Sequence, residues 1–96
     1  MNADSAAIAD DLHLVHVSEN GVLWHCIRLA DGSWSEWGQV RFPEGHEIAS
    51  ATCANVGGEL HVTVVTINGL IYHDIRHPDG RWQGMGQLPS QPLLGG

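Results

Sequence analysis

A direct repeat organises this chain: residues 59–88 align with residues 11–40 at an offset of 48 residues, without insertion or deletion. Thirteen of the thirty aligned positions are identical, and the identities include an Asn-Gly pair, an Asp-Gly pair and a tryptophan. A fixed period in this range is typical of architectures built by stacking one structural unit. A unit of 48 residues buries too little apolar surface to be stable alone. We therefore expect each unit to pack against a neighbour.

The first half of each unit predicts two strands joined by a turn. Small side chains dominate residues 3–9 and 51–57, which suits an innermost strand where several strands crowd together. Residues 12–18 and 60–66 are rich in aliphatic and β-branched residues and do not alternate cleanly between apolar and polar, which predicts burial on both faces. Asn-Gly follows, and it is a strong hairpin signal because both residues tolerate positive φ.

The second half of each unit predicts two further strands. Residues 22–29 and 70–77 form the third strand, and an Asp-Gly turn separates it from a last strand at residues 34–40 and 82–88. A glycine lies near the end of each last strand and is expected to mark a bulge or a close backbone approach. Each unit is thus predicted to be a four-stranded antiparallel sheet.

The repeat follows a pattern of Leu-x-Val-x-Val, then Asn-Gly, Trp or Tyr before His, Ile-Arg, Asp-Gly and Trp. This pattern resembles the blade repeat of bacterial seven-bladed β-propeller lectins of the Photorhabdus type. The resemblance implies an all-β fold with one blade at residues 1–42, a second at residues 43–90 and a C-terminal tail at residues 91–96. It also implies a lectin that binds fucose or O-methylated sugars in shallow sites between adjacent blades. Two departures from the family pattern are the presence of two blades only and Met85 where the first unit has Trp37.

A second interpretation stays open from the sequence. The alternative is a propeller scaffold that binds no sugar, such as a protein-interaction module or an engineered or reconstructed fragment that assembles into a ring. The abrupt ends and the identical spacing of the two units keep that alternative open.

Charge and the N-terminal sequence exclude several classes of partner. Four basic against eleven acidic side chains give a net charge of -7, which repels nucleic acid and anionic lipid surfaces. The first eleven residues carry acids where a signal peptide needs basic residues, and no apolar run is long enough to insert into a membrane. We expect the chain as written to remain in the cytoplasm, so that extracellular action would need another release route.

Neither catalysis nor metal binding is indicated. The sequence has no GxSxG, no HExxH and no glycine-rich phosphate loop, so we predict no enzyme and no cofactor. Seven histidines invite a metal hypothesis, but His16 aligns with Val64 and His77 with Leu29, so neither neighbourhood is repeated. Cys26 aligns with Asp74, which excludes a repeated disulfide framework, and we expect reduced thiols.

The aromatic and basic residues at repeated positions are the candidate sugar contacts. A flat aromatic ring stacks on the C–H face of a sugar, while neighbouring polar groups bind its hydroxyls. Packing between blades is the competing role, above all for the tryptophan that begins each last strand. The candidate sugar-binding residues are Trp24 and Tyr72, Arg28 and Arg76, His25 and His73, Trp37, and Trp34 and Trp82.

The oligomeric state follows from the two-blade length. Two blades leave two apolar faces uncovered, which a soluble monomer does not tolerate, whereas a closed ring covers both with one repeated contact. Whole two-blade chains give rings with an even number of blades. We predict a homotrimer with six blades, with an eight-bladed homotetramer as the alternative, because propellers run from about four to eight blades.

Overall fold

The computed structural model describes residues 2–88 and contains two four-stranded antiparallel sheets and no helix. In each sheet the strands are hydrogen-bonded in chain order. The sheets span residues 2–39 and 48–87, inside the predicted ranges 1–42 and 43–90, and the predicted tail at 91–96 lies outside the described residues. Sheet 1 contains β1 (Asn2–Ile8), β2 (Asp11–Val17), β3 (Leu23–Arg28) and β4 (Gly38–Gln39), and sheet 2 contains β5 (Ile48–Val56), β6 (Glu59–Thr66), β7 (Ile71–Arg76) and β8 (Gly86–Gln87).

The two sheets pack face to face, and their first strands lie against each other. Small residues on β1 and β5 let the two backbones come close enough for side chains to bind backbone groups across the gap. The Asn2 side chain donates to the Ala51 carbonyl at 2.8 Å and accepts from the Ala51 N–H at 3.1 Å, and the Cys53 N–H donates to Asp4 at 2.9 Å. The prediction that each unit begins with a small-residue strand is confirmed.

The core lies between the sheets and draws on one face of each. Its fully buried members are mostly aliphatic, which provides the hydrophobic free energy that holds the units together. They are Val15, Val17, Leu23 and Val40 from the first unit, and Ile48, Ala51, Leu60, Val62, Val64 and Tyr72 from the second unit.

The outer face of each sheet is less covered than the sequence predicted. On β2, burial alternates: His13, Val15 and Val17 face the core, whereas Leu12 is 36% exposed on the other face. Each sheet has one neighbour in a single chain, and a sheet needs two neighbours to be buried on both faces. The expected burial on both faces of β2 is therefore absent from the single chain.

The Asn-Gly hairpin forms as predicted, although only its glycine has a positive φ. Ser18 and Val22 close a three-residue loop, in which the Ser18 N–H donates to Val22 O and the Gly21 N–H donates to Ser18 O, both at 3.0 Å. Gly21 has φ of 76°, whereas Asn20 keeps a negative φ. A type I turn that ends in a left-handed glycine needs positive φ only at the glycine.

The last strand of each unit is shorter than predicted. Instead of seven residues, two pair continuously with β3, and Trp34 forms a separate bridge with Arg28. His25 pairs with Gly38 and Arg28 pairs with Trp34. These two pairs are three positions apart on β3 but four positions apart on the last segment, so the last segment carries one extra residue. The second unit repeats this arrangement. The predicted bulge is present, and it interrupts the strand.

The turn between β1 and β2 places a non-glycine residue in the left-handed region. Ala9 has φ of 51°, and its counterpart in the second unit is Gly57, with φ of 60°. A Cβ atom makes this conformation costly by about 1–2 kcal/mol. The repeat therefore tolerates glycine at this position better than alanine.

We predict that Ala9→Gly raises the free energy of unfolding by about 0.5–1 kcal/mol, because relief of the strain outweighs the extra chain entropy of glycine. Urea unfolding followed by tryptophan fluorescence measures the change. Ala7→Gly, two residues earlier within β1, is the matched control and should lower stability by about 0.5–1 kcal/mol. Destabilisation by both substitutions would contradict the assignment of strain to Ala9.

Candidate functional site

Four of the repeated polar and aromatic residues meet where the sheets join. His13 on β2 and His25 on β3 are hydrogen-bonded between Nδ1 and Nε2 at 2.9 Å. The Trp82 ring of the second unit meets the His25 ring edge-on, with centroids 5.4 Å apart. Trp82 also bridges to Arg76 of β7, whose positive charge acts on both histidines. We call His13, His25, Arg76 and Trp82 the junction.

The junction keeps its histidines neutral. Burial lowers the pKa of His25 to about 4, and the charges of Arg76 and His13 act in the same direction. Burial also lowers the pKa of His13, with a further contribution from Arg76. A hydrogen bond between two imidazoles needs one nitrogen without a proton, so protonation of both rings would break it.

A cavity of about 500 Å³ opens beside Trp82, between the two units. Gln39 of β4 and Arg41 of the linker, which is the segment at residues 41–47 before β5, line one side of it, and both are exposed. Asp74, Trp82 and the segment after it line the other side. The cavity therefore combines an aromatic ring, a guanidinium, a primary amide and a carboxyl group, which is a donor and acceptor set suited to a polyhydroxylated ligand.

Asp74 is the buried member of this cavity, at 1% exposure. Its Oδ1 accepts hydrogen bonds from the N–H groups of Ile75 and Gly84, at 2.7 and 2.9 Å. Burial raises the pKa of Asp74, although these two backbone hydrogen bonds oppose the shift. The contacts hold the carboxyl group in place on the cavity wall.

The first unit satisfies the equivalent backbone group differently. Cys26 stands where the second unit has Asp74. The Ile27 N–H instead donates a hydrogen bond to the Ser35 hydroxyl oxygen at 2.8 Å. Cys26 and Cys53 are both free thiols, as predicted. The carboxyl group is therefore a property of one unit and not of the repeat.

A second cavity of about 400 Å³ lies at the other side of the junction. Asp11 and His13 of the first unit face Arg76 and His77 of the second across it. His77 is paired with Glu59 at 2.5 Å.

The remaining predicted site residues do not all reach these cavities. Tyr72 is buried in the core, where its ring contacts Phe42 with centroids 4.8 Å apart, so the structure places it in packing. Trp24 and Trp37 line an open depression on the outer face of sheet 1, away from the second unit. Trp34, at 54% exposure, and Arg28 lie on this same unit without a facing sheet.

The second pair of repeated histidines has the same local geometry as the first. His61 Nδ1 and His73 Nε2 are 2.9 Å apart, but both rings are only half-buried because no sheet covers their face. Of the nine predicted residues, the structure brings together His25, Arg76 and Trp82 at the junction, and Trp24 and Trp37 on the outer face of sheet 1.

Sequence reasoning missed Gln39, Arg41 and Asp74 as cavity residues. Asp74 breaks the repeat, since it aligns with Cys26, and a buried carboxyl at a broken repeat position was a usable signal. Nothing in the sequence context of Arg41 indicates that it lines the cavity.

Within residues 2–88, no cluster of three or more potential ligand side chains could hold a metal ion. The same residues contain no helix that is both long and apolar enough to cross a membrane. Comparisons of the chain with protein-family models, with curated proteins and with solved structures found no match.

We predict that acid lowers the stability of the fold through His25 of the junction. Folding lowers the pKa of His25 from 6.5 to about 4, so its neutral form stabilises the fold fully above pH 6.5 and this contribution is lost as the pH falls towards 4. Between about pH 7.5 and about pH 5 we expect a loss of about 1–2 kcal/mol from this residue.

Urea unfolding at both pH values checks this expectation. His25→Gln is the control, because glutamine keeps a hydrogen-bonding group next to His13 and does not titrate. The variant should show a smaller loss on acidification than the original chain, and an equal loss would assign the acid sensitivity to other groups.

Proposed function

We propose that this chain is a carbohydrate-binding lectin that assembles into a β-propeller and binds sugar between adjacent blades, where each sheet is one blade. The observation that supports the proposal most strongly is the cavity of about 500 Å³ that joins the Trp82 ring to Gln39, Arg41 and Asp74 across the two sheets. Its size lies within the range of small-molecule sites. The resemblance of the repeat to Photorhabdus-type lectin blades points to the same class of ligand.

Each side chain has a role that its chemistry permits. The half-buried Trp82 ring offers an apolar surface to the C–H face of a sugar, and fucose or an O-methylated sugar adds a methyl group to that contact. Arg41 donates several hydrogen bonds, Gln39 donates and accepts, and the Asp74 carboxyl group accepts from hydroxyls. His25 holds the Trp82 ring in place through its edge-on contact.

A glycan array that includes fucosylated and O-methylated sugars tests the proposal first. Binding of at least one of these sugars is expected. No binding across the array by a folded, assembled protein would replace the lectin by the sugar-free propeller scaffold that the sequence also allows.

We expect Arg41→Ala to weaken binding of the sugar found on the array at least about tenfold, because one charge-assisted hydrogen bond contributes about 1.5–3 kcal/mol. Isothermal titration measures the dissociation constant. Arg81→Ala is the matched control: Arg81 is 76% exposed, pairs with Asp79 at 2.7 Å and lies outside the cavity lining. Equal weakening by both substitutions would contradict the placement of the sugar in this cavity.

The recurrence of the four junction residue types in both units supports the proposed assembly. His13, His25, Arg76 and Trp82 meet within one chain, and the counterparts of these four residues are His61, His73, Arg28 and Trp34. The same four residue types are therefore displayed again on the two uncovered faces. If a second copy placed its sheet 1 against sheet 2 of the first copy, its Trp34 ring would meet His73 of the first copy. That contact would repeat the one that Trp82 makes with His25 within a single chain.

Repetition of that contact closes a ring, because one head-to-tail interface covers both outer faces. A homotrimer gives six blades and is the proposed state, and a homotetramer with eight blades is the alternative. Each ring would hold several weak sites, whose combined binding to a multivalent glycan surface exceeds that of one site.

Light scattering after size exclusion measures the assembly directly. We expect a mass of three times the 10.4 kDa chain, and four times that mass would select the tetramer.

Trp34→Ala should shift the protein towards the single chain, because it removes the ring that meets His73 at the interface between copies. A stable single chain for the unmodified protein would contradict the ring.

A further inference from the structure

The uncovered face of sheet 2 carries the second histidine pair. His61 Nδ1 and His73 Nε2 are 2.9 Å apart, and the ring centroids are 5.0 Å apart. The same two atoms of His13 and His25 are also 2.9 Å apart, with the centroids at 5.1 Å. His13 and His25 are 4% and 8% exposed, whereas His61 and His73 are half-buried. The two pairs therefore share one geometry and differ in what covers them.

Within one chain, the first pair shows what a covering sheet does to two imidazoles. The Trp82 ring meets His25 edge-on, and the positive charge of Arg76 acts on both rings of the pair. Burial is the main cause that lowers the pKa of His25 to about 4, and Arg76 adds to the shift. A tryptophan and a guanidinium therefore cover the pair in its neutral form, because a protonated imidazole would lose water and face a second positive charge.

The same two covering groups lie on the first unit, which has no neighbour on that side. Arg28 aligns with Arg76, and Trp34 aligns with Trp82. Trp34 forms a bridge with Arg28, as Trp82 does with Arg76. In each unit the arginine Nη2 atom also lies beside the glycine of the Asp-Gly turn, 3.3 Å from where a Cβ atom on that glycine would stand. The first unit thus holds its arginine and tryptophan in the arrangement that covers a histidine pair.

We infer that acid separates the copies of the proposed ring, because each contact between copies covers a neutral pair of His61 and His73 with Arg28 and Trp34 of the next copy. The inference rests on the proposed head-to-tail assembly. Protonation of the pair places a positive charge beside the Arg28 guanidinium at a surface that association removes from water, so protonated copies stay apart. Separation also removes the combined binding of several sites to a glycan surface.

Association favours the neutral form of the pair, so it releases protons wherever the uncovered pair is charged. Histidine side chains change charge between about pH 5 and about pH 8. The contact between copies is therefore strongest at the upper end of this range and weakens towards its lower end.

One acidic side chain of the same sheet opposes this effect. Glu59 precedes His61 by two residues on β6 and so lies on the same face, as Asp11 does with His13 on β2. At His13, burial and the charge of Arg76 outweigh the opposing charge of Asp11. We expect the same balance at His61 once a second copy covers it.

The next copy would bring other ionisable groups to this interface. Its carboxylates on that side, Asp10, Asp31 and Glu36, are all exposed, so water screens their charges. Burial raises the pKa of the Cys26 thiol, which therefore stays neutral. His16 is an imidazole on the same uncovered face, so its contribution has to be measured separately.

Light scattering over a series of chain concentrations measures the concentration at which half of the copies are assembled. We expect this concentration to rise at least about tenfold between about pH 7.5 and about pH 5.5, since one histidine proton released per contact changes the association constant by about that factor. Near-UV circular dichroism at both pH values checks that the chain stays folded.

Substitutions identify the imidazoles that respond. In the double variant His61→Gln, His73→Gln, two side chains that do not titrate can still bond to each other, and the same change of pH should alter the assembly concentration less than about twofold. His16→Gln is the matched control and should keep the tenfold change. Loss of the response in His16→Gln, or its persistence in the double variant, would overturn the inference.

Proton uptake by the unmodified protein decides the question if the double variant does not assemble. Calorimetric dilution of the ring at about pH 6.5, in two buffers of different ionisation enthalpy, should show uptake of at least about half a proton for each contact that separates. An assembled ring that takes up no protons on dilution overturns the inference and leaves the assembly standing. A single chain at about pH 7.5 overturns both.

Discussion

The face-to-face packing of two small sheets is the constraint on which the rest of the structure depends. Neither sheet has enough residues to form a core alone, so Val15, Val17, Val62 and Val64 are buried only because the other sheet covers them. The close approach of β1 and β5 needs small side chains, and it lets Asn2 bind the backbone at Ala51. Both the junction and the cavity beside it exist because the sheets meet at this distance.

The repeat makes the two sheets alike in fold, but the positions where it breaks make them different in chemistry. Asp74 and the Ser35 hydroxyl perform the same task of accepting a hydrogen bond from the N–H of the isoleucine on the third strand. Because Ser35 performs that task in the first unit, the Ile27 N–H has a partner there without a carboxyl group at position 26. A ring built from this chain would therefore alternate between cavities with the carboxyl group and cavities without it, and these would differ in affinity for a hydroxylated ligand.

Prediction from the sequence succeeded where short-range chemistry decides the structure. The four strands per unit, the hairpin at Asn20 and Gly21, the bulge in the last strand and the free thiols all follow from local patterns and are present. Asn-Gly is compatible with more than one hairpin loop, and the hydrogen bonds between Ser18 and Val22 select the three-residue loop. The last strand is shorter than predicted because one extra residue interrupts its pairing with β3.

By itself, the sequence determined the period, the strand order and the identity of the residues that recur at the junction, since these depend on spacing and on side-chain chemistry. Only the tertiary structure decided which of the recurring residues meet. Tyr72 enters the core and Trp24 stays on an open face, although they occupy the same repeat position, because the linker and sheet 1 cover one of them. Likewise, Arg41 reaches the cavity through the path of the linker, which no local pattern specifies. Equivalent positions in a repeat share a backbone conformation, but their burial depends on the neighbour that each unit finds.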